Sequence, residues 1–283
     1  MSNENKADKP KILLPKVDVI FKLLFGDKRN IEILIDFLKS VLNISEDEYE
    51  KITIEDTHLK RETVDDKLGI VDVKLTTKTG KIIHIEIQIA KETGLPKRIT
   101  YYNAKMLVTQ LKSSEDYWNL EKVITIAIAD FNFIKDSDDY HHVFELREKF
   151  KGIRLTDIIE INTLELQKIP EQSDSTAKYD WLQFLKSERE EDFNMIAEKR
   201  PAIKKAVVEL KRLSQDEEAQ KLYEAREKAI RDESSRTKTA INKAVKARNH
   251  EVATNLIKMG LTNDQIAEAV EMTADEIEQL RNN

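Results

Sequence analysis

The chain of 283 residues contains no cysteine. That absence excludes disulfides, thiolate metal sites and cysteine nucleophiles. Glycine and proline are scarce, at 6 and 5, so long flexible linkers are not expected and no glycine-rich phosphate loop exists. No stretch reaches the roughly 18 apolar residues that a membrane helix needs. The opening residues MSNENKADKPK lack the apolar core of a signal peptide. A cytoplasmic protein without membrane association is the expectation. No Ser/His/Asp arrangement is identifiable either.

Charge, in contrast, is plentiful: 35% of residues are Asp, Glu, Lys or Arg, and the net charge is -6. An acidic balance argues against a dedicated nucleic-acid binder, but the charge is uneven. Residues 199–258 hold 16 basic against 9 acidic side chains, whereas residues 259–283 hold one arginine and six acids. An acidic body followed by a basic helical stretch suits a protein that holds a polyanion beside a cation site. A solvated helical face would read the same way.

Residues 1–15 resemble a disordered lead-in. Beyond them, Val17, Ile20, Phe21, Leu24 and Phe25 recur at helical spacing, with Asp18 and Lys22 one turn apart on another face. A second helix is expected over residues 30–43 and strand character near Ile52 and Ile54. Two longer strands follow, GIVDVKLTT from Gly69 and KIIHIEIQIA from Lys81. The second alternates strictly, with Ile83, Ile85, Ile87 and Ile89 on one face and His84, Glu86 and Gln88 on the other. Lys78-Thr79-Gly80 lies between them, and a three-residue hairpin loop commonly ends in a left-handed residue, for which glycine is suited. That loop pairs Thr77 with Lys81 and sets Asp72 opposite Glu86, with β-carbons about 5 Å apart. A two-residue loop would send the acids to opposite faces.

A helix is expected from about Lys97 to Lys112, then a central strand over residues 122–131 and another strand over 140–147. A strand-and-turn region covers 153–170. Everything beyond about 176 reads as helix: 176–194, 201–213, 215–233 and 235–259. Two short capped helices end the chain, announced by Thr262-x-x-Gln265 and Thr273-x-x-Glu276. They suggest a helix-turn-helix. Asp275, Glu276 and Glu278 at the start of its second helix suit packing or dimerisation better than groove reading.

Asp72 and Glu86 carry the chemistry. Opposed acids on a sheet repel unless something neutralises them. A hard divalent cation accepts such oxygen ligands, can activate water and can stabilise charge on a phosphoryl group. Gln88, on the face of Glu86, can orient water or phosphate but supplies neither positive charge nor a strong base. Solvent-facing polar residues are the competing reading.

The arrangement of Asp72, thirteen residues, then Glu86-Ile87-Gln88 resembles the D…ExQ variant of the PD-(D/E)XK nuclease signature. With KVDVIFKLLFGD upstream and RITYYNAKMLVTQL downstream, the ordered set resembles the recombination-promoting nuclease and putative transposase family over residues 15–170. The resemblance implies an α/β fold: a PD-(D/E)XK, restriction-endonuclease-like core with a mixed central sheet flanked by helices, in residues 15–175. A helical C-terminal region, 176–283, follows. It also implies a metal-dependent DNA endonuclease, linked to recombination or mobile elements, using Mg²⁺, Ca²⁺ or Mn²⁺. Asp72, Glu86 and Asp18 would be metal ligands, and Gln88 would stand where many relatives have lysine. The alternative is a catalytically weak or inactive nuclease-fold protein that binds DNA or oligomerises.

Candidate DNA contacts are Lys22, Arg98, Tyr102, Lys204 and Lys205. Each has a plainer reading: Lys22 pairing with Asp18, Arg98 on a helix surface, Tyr102 in core packing. Tyr101 and Gln110 are weighed in the same way. A homo-oligomer through the C-terminal helices is the expected assembly. His84 reads as structural. His141 and His142 point to opposite sides of a strand and cannot share a metal.

Overall fold

The computed structural model describes residues 12–55, 72–92, 94–112 and 114–282. Gly69–Val71, the start of the first expected long strand, lie outside them. The chain divides into two compact units, one ending at Arg226 and one from Glu227 onward.

The first unit begins with residues that were expected to be disordered. Leu13 is buried, and its amide donates to Ser214 Oγ at 3.0 Å. Apolar residues on both sides of Pro15 draw this segment into the core. Helices α1 (Asp18–Phe25) and α2 (Ile31–Val41) follow. Next come strands β1 (Thr53–Ile54), β2 (Val73–Thr76) and β3 (Ile82–Gln88), helix α3 (Leu95–Val108), and strands β4 (Val123–Ala129), β5 (His141–Glu145) and β6 (Ile159–Glu165).

The six strands form one mixed sheet in the order β1-β2-β3-β4-β6-β5. β3, β4 and β6 run parallel, and the outer pairs are antiparallel. Parallel neighbours need a long crossover, and α3 provides it between β3 and β4. One face of the sheet carries Ile83, Ile85 and Ile87 with Ile124, Ile126 and Ile128, packed in one core with α1 and α2. α3 covers the other face through Leu95 and Ile99 against Ala127 and Ala129, and Tyr102 and Met106 against Val123.

The hairpin register is the expected one. Val73 pairs with Ile85 and Thr76 with Ile82. The Thr77 amide donates to the Lys81 carbonyl at 3.0 Å, and Gly80 has φ 98. Buried Glu48 grips the turn, accepting from Thr77 Oγ1 at 2.6 Å and Thr79 Oγ1 at 2.8 Å and pairing with Lys81. A Cβ at Gly80 would lie 3.1 Å from the Glu121 side chain, in a backbone region that other residues rarely adopt. Gly80→Ala is therefore expected to cost about 1–2 kcal/mol. Urea unfolding checks it; an unchanged midpoint would contradict the strain.

The helical stretch differs in detail from its periodicity. Residues 176–194 form two helices, α4 (Ala177–Lys186) and α5 (Glu190–Ala197), because Ser187 turns extended, with ψ 144. α6 (Pro201–Leu213) is as expected. Residues 217–258 form one helix, α7 (Glu217–Lys258), with no break near Ser234. Serine is a weak helix former, not a breaker, and no glycine or proline interrupts the run. Although α4 to α6 belong to the stretch expected to form a separate helical region, Trp181, Phe184, Phe193, Ile203 and Leu210 pack in the same core as the sheet.

The second unit contains the rest of α7 with α8 (Asn263–Ala269) and α9 (Ala274–Arg281). Both expected capping boxes are present, at Thr262/Gln265 and Thr273/Glu276. Ala253, Ile266, Val270 and Ile277 form its core.

Candidate metal centre

β3 is buried on both faces, which changes the meaning of its polar residues. His84 and Glu86 face α3, not solvent: His84 is fully buried and Glu86 is 4% exposed. His84 is structural. Its Nε2 contacts Thr125 Oγ1 at 3.1 Å, and burial pushes its pKa down to about 3, so it remains neutral.

Asp72 lies one residue before β2, and extending the Val73–Ile85 pairing by one step sets it opposite Glu86. The amides of alternate β3 residues face β2, and that of Ile87 lies beyond the last ladder pair. The Asp72 carboxylate takes it, accepting at 2.7 Å. The carboxyl is half-buried and its pKa is pushed up to about 7. Burial is the main cause; the Ile87 amide opposes it, and the Asp18 and Glu86 carboxylates add to it. The carboxylates of Asp18 on α1 and Glu86 on β3 thus both act on Asp72, just ahead of β2.

Two arginines partly offset that concentration of negative charge. Arg98, near the start of α3, has Nη2 2.7 Å from Glu86 Oε1 and Nη1 3.0 Å from Glu92 Oε2. Its approach to Glu86 is not aligned as a hydrogen bond, and neither Glu86 oxygen has a hydrogen-bond donor. Burial accordingly pushes the Glu86 carboxyl up, and Arg98 opposes this. Arg226, on α7, donates from Nε to Asp18 Oδ1 at 2.9 Å, and its Nη2 lies 2.6 Å from Oδ2. No local sequence signal points to Arg226. Arg98 was visible in sequence, but a helix-surface role was the plainer reading.

Gln88 ends β3, and its Nε2 donates to the Ala90 carbonyl at 3.2 Å. The nearby Gln88 carbonyl accepts from the Asp130 amide at 3.0 Å, and Asp130 is ion-paired at 2.8 Å to the buried Lys16. Tyr102 is buried under Arg98, whose guanidinium lies 5.8 Å from the ring centre. Lys22 is exposed one turn beyond Asp18. Lys204 and Lys205 stand apart from the acids. They line a groove of about 570 Å³ with Arg29, Glu32 and Glu209, where Lys205 pairs with Glu32.

Residues 15–240 match the model of the family described as PD-(D/E)XK nuclease family transposase. The chain belongs to that family. The mixed sheet with flanking helices is the fold this membership implies. No curated protein and no solved structure matches the chain.

Among the described residues, no three acidic or histidine side chains stand ready-made around one point for a metal. Arginines hold Asp18 and Glu86. The donor chemistry still fits a hard divalent cation: three carboxylates from three elements, with both Glu86 oxygens lacking a donor. Among the described residues, no helix is long and apolar enough to cross a membrane.

Proposed function

We propose that the protein is a divalent-metal-dependent DNA endonuclease, with Asp18, Asp72 and Glu86 as metal ligands and Gln88 beside them. The observation that carries this reading is the half-buried Asp72 carboxyl beside β3, which accepts from the Ile87 amide and is acted on by the Asp18 and Glu86 carboxylates. When bound, Mg²⁺, Mn²⁺ or Ca²⁺ would supply an activated water and charge stabilisation at the phosphoryl group. The protein's own groups then have distinct tasks. The Ile87 amide fixes the direction of the Asp72 carboxylate. Arg98 and Arg226 balance Glu86 and Asp18 and would move aside, in part, as the cation enters. The Gln88 amide can orient a water or a phosphate oxygen but cannot stabilise charge as lysine would. Lys22, exposed on the α1 turn beyond Asp18, and the Lys204/Lys205 groove are the candidate contacts for DNA backbone.

Supercoiled plasmid incubated with a metal series is the test. Nicking or linearisation should appear with Mg²⁺, Mn²⁺ or Ca²⁺ and stop on adding EDTA. One observation favours a second reading, a DNA-binding relative without cleavage: Gln88 already uses its amide on the Ala90 carbonyl. Salt-sensitive DNA binding with no cleavage in any metal would select that reading.

A further inference from the structure

The outer edge of the sheet is poorly protected. β5 is the last strand, with nothing paired on its outer side among the described residues. Such edges are usually blunted by charge, proline or a covering element, because unpaired backbone groups invite another strand. Here Val143 and Phe144 on β5 are exposed, as is Leu146 just after it. Residues 146–155 then fold back on themselves, with the Leu155 amide donating to the Leu146 carbonyl at 3.0 Å. This hairpin presents Phe150 at 87%, Ile153 at 61% and Leu155 at 82% exposure. Single exposed apolar residues are ordinary, but six within thirteen residues along a bare edge, on both faces of the strand, mark an interaction surface.

We propose that the edge of β5 and the hairpin after it form the interface at which two copies of this chain pair about a two-fold axis. Three properties select a second copy over another partner. An edge strand is complementary to its own copy, since a two-fold axis sets the two strands antiparallel with both backbones satisfied. The rim carries both signs: Glu145 pairs with Arg147 at 2.5 Å and approaches Arg154 at 3.6 Å, and Lys149 and Lys151 lie beside Glu148. A self-contact therefore meets no single-sign repulsion. The area is also of the right order. Six such side chains at about 100 Å² each offer roughly 600 Å² per copy before backbone and rim are added, close to the ~800 Å² per partner of a standard interface. The C-terminal helices, where assembly was expected from sequence, bury Ile266, Val270 and Ile277 within their own core. The pairing does not depend on whether the acids cleave DNA.

Sedimentation equilibrium of the full chain tests it. The expected mass is twice 32.9 kDa at tens of micromolar. The double variant F150E/L155E should sediment as a monomer, its dissociation constant raised about a hundredfold or more. Its circular dichroism should be unchanged, because both side chains are exposed. The absence of native cysteine permits an independent reading. Val143→Cys should oxidise to a covalent dimer, whereas Val208→Cys on α6, exposed at least as much, should not. A wild-type chain that stays monomeric overturns the proposal and leaves the face to a different partner. A dimer that survives F150E/L155E, or equal cross-linking at 143 and 208, overturns it as well.

Discussion

Replacing Asp72 with asparagine is expected to abolish DNA cleavage and, with no metal added, to make the protein more heat-stable at about pH 8. The two effects share one cause. Burial and the neighbouring acids raise the Asp72 carboxyl to about 7, from its ordinary value of 3.8. The folded protein thus binds this proton more tightly than the unfolded chain does. Stability from this group is fully present below the unfolded value, falls as pH rises, and is lost above about 7. At pH 8 the wild-type carboxylate is ionised in a site that disfavours it. Asparagine removes that charge, and its oxygen can still accept from the Ile87 amide. Ionising that carboxyl costs at most about 4 kcal/mol, which partial exposure and relaxation reduce to roughly 1–2. The melting temperature should rise by about 3–6 °C, measured with EDTA present. Cleavage should fall by about 10³-fold or more, since a ligand to the cation that stabilises the reacting phosphoryl is gone. Glu86→Gln is the less clean experiment, because it also leaves Arg98 without its buried partner. An active Asp72→Asn enzyme would remove Asp72 from the metal centre. Lost activity with lower stability would instead mark a folding defect.

The hairpin was the most legible part of the molecule. Its register depends on local chemistry: Gly80 in a left-handed turn and strict alternation after Lys81. Both are written within fifteen residues, so Asp72 opposite Glu86 followed from them. What surrounds the acids was not local. Strand β3 alternates like a half-exposed strand, yet its polar face lies under α3, a fact set by the parallel pairing with β4 across a crossover. The alternation reported which residues share a face, not what covers it. Arg226 comes from more than two hundred residues beyond Asp18, and one arginine in a highly charged helix carries no mark of its partner. The basic helical stretch was visible as charge. Its division into α4, α5 and the long α7 was not, since Ser187 ends a helix and Ser234 lies within one.

Trp181 should show how far the nuclease-fold unit extends. Its side chain is fully buried on α4, beyond the boundary expected near residue 175. Its ring lies 5.7 Å from Phe25 of α1, 5.9 Å from Phe37 of α2 and 5.7 Å from Phe184. The indole N–H donates to Asp36 Oδ1 at 2.7 Å. Trp181→Ala therefore removes a large apolar volume, several edge-on aromatic contacts and the hydrogen bond that holds a partly buried carboxylate. The expected cost is about 3–5 kcal/mol, a large share of the 5–15 kcal/mol typical of a folded domain. Trp181→Phe retains a ring and loses the hydrogen bond, with an expected cost of about 1–2 kcal/mol. Hydrogen exchange distinguishes one cooperative unit from two. If α4 to α6 complete the core beneath the sheet, the alanine variant should speed exchange at Ile124, Ile126 and Ile128 of β4 as much as within α4. Faster exchange confined to the helices, with β4 unchanged, would show that the sheet and α1 fold without them. The acids at the end of β3 would then depend on the helical stretch only through Arg226.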